Sequence, residues 1–486
     1  MRVEISESPA AEAEGALRVV GLLSGEELPA DLAGAPGSED VRAKYKSLSV
    51  LRPDRARALV IGLGERDELT PERARVAAAL AVRQARRLEA TAIAWECPEG
   101  RSMPAALTSG TIMGAYRFDR LKSNRGSAGD EDEATDIEAL TLHGASDGEF
   151  AAETVPVAKA SAEAANRARD LQNLPANICD PAFLAERARE IAAADERIEV
   201  RVLSGEEIEA EGLGGLLAVS AGSVKEPALI TLRYSGAEPG SESPTLGYVG
   251  KGVTFDTGGI SIKPSAGMEL MKKDMSGGAA VLEATAAIAE LGLPLDLIAV
   301  VPAVENMPSG SATRPGDVIT QLNGRTVEVN NTDAEGRLIL ADALTWAIRE
   351  GADRLVDIAT LTGAVIVALG SSYAGLVAND DEWAERVEGA GSIVGELLWR
   401  LPLHPEYKEL MRGTTADLTN SAPKRKAGTI TAASFLEEFV DGVTWAHLDI
   451  AGTSWDVGRE YVGKGATGFG TRLLVELARQ LSVEAS

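Results

Sequence analysis

The sequence has no long apolar run, only two cysteines and no recognisable targeting segment. No hydrophobic stretch reaches the roughly 18 residues that a membrane-spanning helix requires, and the first residues are acidic rather than apolar. Cys97 and Cys179 are far apart and form no CxxC unit, which excludes a disulfide framework and a thiolate metal site. We therefore predict a cytoplasmic protein without a membrane-bound part.

The chain is also short of positive charge. It contains 48 lysine and arginine residues against 74 aspartate and glutamate residues, so its formal net charge is −26 at pH 7. A groove for nucleic acid needs a basic face that neutralises phosphates, and an anionic membrane selects for the same charge. The composition therefore disfavours both partners and predicts an acidic, solubilising surface.

Histidine is scarce as well, which excludes one class of enzyme that depends on it. The three histidines are His143, His404 and His447, and none belongs to an HExxH motif, so a single-zinc protease of that type is excluded. No GxSxG motif is present either, which excludes a serine hydrolase of the α/β-hydrolase kind. We expect His404 and His447 to be packing residues rather than metal ligands.

Length and residue pattern predict an α/β protein of two domains. Apolar runs at residues 58–64 and 91–95 have the character of buried strands, and Thr70 and Pro71 between them are typical of a helix start. This βαβ order predicts a mixed or mostly parallel sheet flanked by helices. We place an N-terminal α/β domain at residues 1–155, a linker helix at 156–174 and a catalytic domain at 175–486.

The most informative stretch is NTDAEGRL at residues 331–338, called the octapeptide below. An alternating, β-branched segment at 324–330 precedes it, and apolar residues at helical spacing follow it. The octapeptide is therefore predicted to lie on a strand-to-helix turn, where ligands bind in open α/β sheets. Its spacing also fits a capping box, with Thr332 as the N-cap and Glu335 bonding back to the backbone.

Other carboxylates and two lysines lie at similar positions in the pattern. Lys251 and Asp256 belong to a predicted strand at residues 246–256, Lys263 follows a glycine-rich turn, and Asp274 opens an alanine-rich helix. With the two carboxylates of the octapeptide, four such groups in one crevice would raise one another's pKa unless a cation binds them. Oxygen-rich sites suit divalent ions, and two ions about 3.5–4 Å apart would share these ligands.

These segments resemble the leucyl aminopeptidase family. The resemblance covers most of the second domain and is loose in the first, where it lies mainly at YRFDR, residues 116–120. The octapeptide matches the family's signature and is highly specific. The other matching segments are KGVTFDTGGISIKP at 251–264, KDMSGGAA at 273–280, TLTGA at 360–364 and WAHLDIAG at 445–452.

The resemblance implies a role for each matching residue. It implies two divalent ions per subunit, manganese or zinc, with magnesium an alternative at one site, and a bicarbonate held by Arg337 as general base. The implied metal ligands are Lys251, Asp256, Asp274, Asp333 and Glu335, with Asp256 and Glu335 bridging. The implied catalytic residues are Lys263 and Arg337. The implied substrate-binding residues are Met271, Asn330, Thr360, Leu361 and Ala451.

The implied activity is removal of N-terminal residues, leucine and other apolar ones preferred, from peptides with a free N-terminus. A water shared by both ions would attack the peptide bond, and Lys263 would stabilise the oxyanion. Lys251 must be neutral to bind a metal ion, so we expect burial and the bound cations to depress its pKa. The resemblance also implies a homohexamer. The alternative is a DNA-binding architectural or regulatory protein with a secondary or silent peptidase site, as some family members bind DNA.

Overall fold

The computed structural model describes residues 1–13, 15–53, 57–123, 135–238, 240, 244–422, 424 and 426–484. These residues form two compact units. The first comprises residues 1–166 with 458–463, and the second comprises residues 167–457 with 464–486. Among the described residues, no helix combines the length and the apolar character needed to cross a membrane.

The first unit is built on a six-stranded sheet. Its strands are β1 (Arg2–Ser6), β2 (Leu17–Leu23), β3 (Leu48–Leu51), β4 (Ala58–Gly64), β5 (Ala92–Glu96) and β6 (Ala139–His143). They lie in the order β1-β6-β5-β2-β4-β3, and every neighbouring pair is parallel except β3 with β4. Helices α1 (Pro71–Arg87) and α2 (Met103–Gly114) belong to the same unit. The predicted helix start is confirmed, because the Thr70 hydroxyl accepts the Arg73 N–H at 3.3 Å.

A 26-residue helix, α3 (Gly148–Asn173), follows the first sheet. The division between the two compact units falls inside it, between Asn166 and Arg167. The helix ends two residues before Pro175, as the sequence predicted, because a proline cannot supply the backbone N–H that would continue it.

The second unit contains twelve strands and ten helices among its described residues. The strands are β7 (Ile198–Ser204), β8 (Ala228–Ser235), β9 (Leu246–Gly250), β10 (Gly252–Asp256), β11 (Asp296–Asn306), β12 (Val318–Thr320), β13 (Thr326–Glu328), β14 (Arg354–Ala359), β15 (Ala374–Ala378), β16 (Leu398–Arg400), β17 (Leu418–Thr419) and β18 (Thr444–Asp449). The helices are α4 (Pro181–Ala194), α5 (Glu206–Glu211), α6 (Gly214–Ser220), α7 (Ser276–Glu290), α8 (Gly336–Arg349), α9 (Gly363–Leu369), α10 (Asp381–Val394), α11 (Pro405–Glu409), α12 (Gly428–Leu436) and α13 (Thr471–Glu484).

Nine of these strands form one mixed sheet, in the order β16-β15-β18-β14-β9-β11-β8-β7 with β10 paired to β11. The central strands β18, β14, β9 and β11 are parallel to one another, and the outer ones include antiparallel pairs. The carboxyl ends of the central strands therefore lie at one edge of the sheet. The predicted α/β fold with mixed sheets is confirmed.

The predicted single strand at residues 246–256 is wrong, because Lys251 interrupts it. β9 pairs with β14 and β11, whereas β10 keeps β11 as its neighbour and no longer pairs with β14. Between them the Lys251 N–H donates to the Ile358 carbonyl at 3.0 Å. The neighbouring backbone is very close here, since a Cβ at Gly250 would lie 2.4 Å from the Gly277 carbonyl oxygen. This interruption places Lys251 directly after the end of β9 and beside the end of β14.

The capping-box interpretation of the octapeptide is also wrong. Helix α8 begins at Gly336, and Glu335 occupies the N-cap position without a side-chain capping bond. The Thr332 hydroxyl instead donates to the Gly258 carbonyl at 2.6 Å and accepts the Ser261 N–H at 2.8 Å. The strand before the octapeptide is shorter than predicted, since β13 has three residues and lies in a small separate sheet with β12 and β17. The octapeptide is therefore held by a neighbouring loop.

Helix α8 is anchored by the buried carboxylate of Asp342. Its Oδ2 accepts the N–H groups of Gly215 and Leu216 at 2.7 and 3.1 Å, and its Oδ1 accepts the Leu322 N–H at 2.8 Å. Burial is the main cause that raises the pKa of Asp342 to about 7, and the three N–H donors act against it. This carboxylate ties α8 to α6 and to the turn that follows β12.

Candidate metal centre

The candidate site lies at the carboxyl edge of the central parallel strands. Lys251 follows β9, Asp256 ends β10, Thr360 follows β14 and Asp449 ends β18. Parallel strands end on the same side of a sheet, so the topology brings together residues that are far apart in sequence. The octapeptide reaches this edge at the start of α8.

Lys251 lies at the centre of one half of the cluster. Its ammonium is 2.7 Å from Asp274 Oδ2 and 2.8 Å from Glu335 Oε1, and it donates to the Thr360 carbonyl at 3.0 Å. All three side chains that meet here, those of Lys251, Asp274 and Glu335, are buried. The lysine therefore joins the segment before α7 to the octapeptide.

Lys263 links the other two carboxylates. Its ammonium is 2.7 Å from Asp256 Oδ2 and forms a second, short contact with Asp333 Oδ1. The free oxygen of Asp256 is fixed as well, because Oδ1 accepts the Gly258 N–H at 2.9 Å and the Asn306 amide at 2.8 Å. The two lysines thus divide the four carboxylates into two pairs.

Three of the carboxylates are arranged as a metal site requires. Asp256, Asp333 and Glu335 each offer one oxygen, and these oxygens lie within 4.8 Å of one another. Glu335 also has a buried oxygen, Oε2, with no hydrogen-bond partner among the described residues. A buried, unpaired carboxylate oxygen is costly to leave unsatisfied, and hard oxygen donors are what divalent cations prefer. The residues present therefore fit a divalent metal ion.

The electrostatics of the cluster favour an added cation. Burial, with Asp256 as the next cause, raises the pKa of Glu335 to about 8 against the opposing effect of Lys251. Burial likewise raises the pKa of Asp274 to about 6, with Lys251 acting against it. Burial also raises the pKa of Asp333. The lysines alone thus leave the carboxylates prone to take up protons, and a divalent ion would keep them ionised.

The protein's own side chains do not depress the pKa of Lys251, so the expected depression depends on the bound cations. Burial lowers its pKa, but the charges of Asp274 and Glu335 outweigh burial, and the net direction is upward. Lys263 follows the same rule: burial lowers its pKa, and the nearby carboxylates raise it above the usual value. In this arrangement both lysines are cations that balance the carboxylates.

Arg337 lies one helical position inside α8 and is buried. Its Nε has no hydrogen-bond partner among the described residues. Burial lowers the pKa of Arg337 to about 10, although Glu335 and Asp449 act in the opposite direction. A buried guanidinium with an unused N–H is suited to hold an anion.

Three of the predicted substrate-binding residues are connected to the cluster. The Thr360 hydroxyl donates to Asp274 Oδ1 at 2.6 Å. The N–H groups of Leu361 and Ala451 both donate to Asp449 Oδ1, at 3.2 and 3.3 Å. The ends of β14 and β18 are therefore joined through one carboxylate.

The other two predicted substrate-binding residues lie in different segments. Met271 is half-buried in a 3-10 turn at Met268–Lys273, and its carbonyl accepts the Asp274 N–H at 3.2 Å. Asn330 is exposed, and its amide donates to the Thr419 hydroxyl. Met271 thus adjoins a carboxylate of the cluster, whereas the Asn330 side chain contacts the last residue of β17.

The two histidines singled out in the sequence have different surroundings. His404 caps α11, because its Nδ1 accepts the Glu406 N–H at 3.3 Å. His447 is fully buried on β18, with Nδ1 2.6 Å from Asp357 Oδ1. Neither belongs to the carboxylate group around Asp256.

Three residues that hold the site were not singled out from the sequence. Asn306 bonds Asp256 and the Thr332 carbonyl, the latter at 3.0 Å. The buried Asn420 donates to the carbonyls of Asn331 and Ala334, at 2.7 and 3.3 Å. Asp449 is the third. The sequence position of two of them could have indicated their role. Asn306 and Asp449 are each the last residue of a strand, and the carboxyl ends of the strands form the edge where ligands bind.

This sheet edge, with its clustered carboxylates, is suited to a protein that uses divalent metal ions. Residues 166–475 match the model of the cytosol aminopeptidase family, catalytic domain, and residues 26–125 match that of the cytosol aminopeptidase family, N-terminal domain. The first match alone covers more than half of the sequence, and the chain belongs to the cytosol aminopeptidase family. It is an enzyme, a metallo-exopeptidase of the leucyl aminopeptidase type, and the resemblance seen in the sequence is confirmed.

Individual relatives are similar in sequence over most of this chain. The chain is 45% identical over 491 residues to a probable cytosol aminopeptidase of Roseiflexus castenholzii, covering 99% of each sequence. It is 51% identical over 383 residues to one of Chlorobaculum tepidum, covering 78% of this chain and 75% of the relative. Among solved structures, it is similar to the bottromycin maturation enzyme BotP in complex with Mn, with a TM-score of 0.86, 35% identity and coverage of 96% and 100%. A mutant of tomato leucine aminopeptidase gives a TM-score of 0.87, 33% identity and coverage of 99% and 96%.

The start of α8 allows a test of how closely the cluster is packed. A Cβ at Gly336 would lie 2.6 Å from Lys251 Cε and 2.9 Å from Leu361 Cδ1, so Gly336→Ala must displace one or both side chains. We expect kcat/KM for leucine amide to fall about 100-fold, the loss typical of a displacement near 1 Å. The control is Gly389→Ala on α10, where a Cβ meets nothing within 4 Å. Equal activity of the two variants would contradict the close packing.

Proposed function

We propose that the chain removes N-terminal residues from peptides, leucine and other apolar ones preferred, at a site that binds two divalent ions. The observation that carries this proposal is the group formed by Asp256, Asp333 and Glu335, whose oxygens lie within 4.8 Å of one another. The unpartnered buried oxygen of Glu335 supports it. Family membership supplies the reaction class.

In this proposal Asp256 and Glu335 are shared by the two ions. The remaining ligands are Asp274, Asp333 and Lys251. When bound, the ions would lower the pKa of a water and polarise the peptide carbonyl. Manganese is supported by the similar BotP, whose structure is described as a complex with Mn, and zinc, with magnesium at one of the sites, is the alternative.

The two lysines differ in their access to a substrate. The Lys263 side chain is 21% exposed, whereas that of Lys251 is 3% exposed. A substrate can therefore approach the Lys263 ammonium, which would donate a hydrogen bond to the carbonyl oxygen as negative charge develops on it. Lys251 is enclosed by carboxylates, and once cations neutralise these its burial would favour the neutral amine that a metal ligand must be.

Arg337 has the properties of an anion anchor. A guanidinium keeps its proton under these conditions and cannot be the general base. We propose that it holds a bicarbonate, which would accept the proton of the attacking water. The buried, unpartnered Nε of Arg337 supports this role.

Met271 and Ala451 would line the pocket for the substrate's N-terminal side chain. Asn330, Thr360 and Leu361 would contact the peptide. The apolar side chains of Met271 and Ala451 favour an apolar residue at the substrate's N-terminus. We also propose a cytoplasmic location, and a domain division at residues 155 and 174.

The first test removes carboxylates from the cluster. Asp333→Ala and Glu335→Ala should lose bound metal and hydrolysis of leucine amide while keeping the far-UV circular dichroism of the fold. Glu382→Ala is the control, since Glu382 is 77% exposed and pairs with Arg386 on the surface. Metal content is measured by elemental analysis of the purified proteins. A Glu335→Ala variant with full metal content and turnover would refute the two-metal site.

The proposed assembly is a homohexamer, inferred from the family resemblance. Light scattering at micromolar concentration should give a mass six times that of one chain. A monomer mass under the same conditions would exclude the hexamer and would leave the metal site untouched.

The lysine roles can be separated by changing each residue to arginine. Lys251→Arg should lose metal affinity, because a guanidinium stays protonated and cannot bind a metal ion. Lys263→Arg keeps a cation near the carbonyl oxygen and should retain metal while losing rate, by no more than about 10²–10³-fold. Both variants are titrated with zinc and manganese while binding and hydrolysis are followed. Loss of metal from Lys263→Arg with normal affinity in Lys251→Arg would reverse the assignment.

A further inference from the structure

Asp449, the last residue of β18, is a buried carboxylate to which the proposed mechanism gives no role. Its Oδ1 accepts three backbone N–H groups, those of Leu361 at 3.2 Å, Thr362 at 3.3 Å and Ala451 at 3.3 Å. Its Oδ2 accepts the Thr362 hydroxyl at 2.5 Å. All four hydrogen bonds go to the turns that follow β14 and β18.

The turn at residues 360–362 is held from its other side by the metal-binding cluster. The Thr360 carbonyl accepts the Lys251 ammonium at 3.0 Å, and the Thr360 hydroxyl donates to Asp274 at 2.6 Å. The Thr362 hydroxyl also accepts the Val365 N–H at 3.3 Å, which caps α9. A short turn between two buried carboxylates therefore links the cluster to Asp449.

We propose that Asp449 is a positioning residue that sets the width of the pocket for the substrate's N-terminal side chain. It does so by holding Leu361 and Ala451, one from each of the two turns, on the same carboxylate oxygen. The inference rests on the proposed function, in which Ala451 lines that pocket and Leu361 contacts the substrate peptide. It adds a residue that acts through others and touches neither metal nor substrate.

The physical basis is the strength and number of these bonds. Hydrogen bonds to an ionised acceptor are stronger than neutral ones, and more so when buried. β14 and β18 are neighbouring parallel strands, and the last backbone bond between them runs from the Ile450 N–H to the Ala359 carbonyl at 2.8 Å. Beyond the end of the paired strands, the Asp449 carboxylate holds the turn after β14 and the turn after β18 at a fixed distance from each other.

The main variant is Asp449→Ala, which removes all four bonds. We expect KM for leucine amide to rise about tenfold, a smaller loss than displacement of a reacting group would cause. The preference for leucine amide over glycine amide should narrow by a similar factor, while kcat changes by less than about threefold. Metal content should equal that of the wild type, because Asp449 is outside the carboxylate group.

Asp449→Asn is the conservative variant. Its amide oxygen can still accept the three N–H groups, and its NH2 group can donate to the Thr362 hydroxyl. It should therefore restore most of the selectivity. Thr362→Val, which removes the hydroxyl donor, should shift selectivity in the same direction as Asp449→Ala but by less. These two variants decide the proposal if Asp449→Ala does not fold.

The matched control is Asp342→Ala. Asp342 is equally buried and accepts three backbone N–H groups, but none of them belongs to the turn at 360–362. We expect this variant to lower the Tm without changing the leucine-to-glycine preference. Asp449→Ala should lower the Tm and change the preference as well.

Two outcomes would overturn the inference. Unchanged KM and selectivity in Asp449→Ala would show that the turns hold their places without it. A fall in kcat alone, with normal selectivity, would assign Asp449 to the surroundings of Arg337 instead. A wild-type enzyme that hydrolyses no amino-acid amide would refute the proposed function, whereas an active wild type with an unaffected Asp449→Ala refutes this inference alone.

Discussion

The catalytic unit depends on balancing buried negative charge at the edge of its sheet. Four carboxylates lie there with two lysine ammonium groups between them, Lys251 and Lys263. Removing charges from water is costly, and ion pairs recover the cost only when their geometry and remaining hydrogen bonds are good. Here the ion pairs do not offset the whole cost of burying the carboxylates, since burial still raises the pKa of Glu335 to about 8. A fold that tolerates such a cluster is built to receive a cation.

The support of the cluster matters as much as its members. Asn306 and Asn420 are amides that hold Asp256 and the octapeptide backbone through short, buried hydrogen bonds. Amides supply both donors and acceptors without adding charge, which suits a place where charge is already in excess. The carboxylates are thus oriented by neutral partners, while the lysines adjust the net charge.

Much of this could be predicted from the sequence, and the errors have physical causes. The octapeptide and the two lysine segments identified the family because their residue types are specific. The strand at residues 246–256 was predicted as one element because its composition is uniformly strand-like, and composition carries no sign that pairing with β14 ends at Lys251. The capping box was predicted from local spacing. In the structure, the Glu335 carboxylate forms an ion pair with Lys251 instead, and the Thr332 hydroxyl donates to the Gly258 carbonyl. Asp449 escaped notice because three of its four hydrogen bonds come from Leu361 and Thr362, almost 90 residues away in the sequence.

The order of the strands in the sheet has a consequence for biosynthesis. β18 lies between β15 and β14, and it is the last strand of the sheet to be translated. Until it is inserted, β14 lacks one neighbour, and the turn at residues 360–362 lacks the carboxylate of Asp449. A ribosome-bound or prematurely terminated chain can therefore carry every carboxylate of the cluster and still have an unfinished pocket. The topology itself delays the appearance of a working peptidase until synthesis is nearly complete.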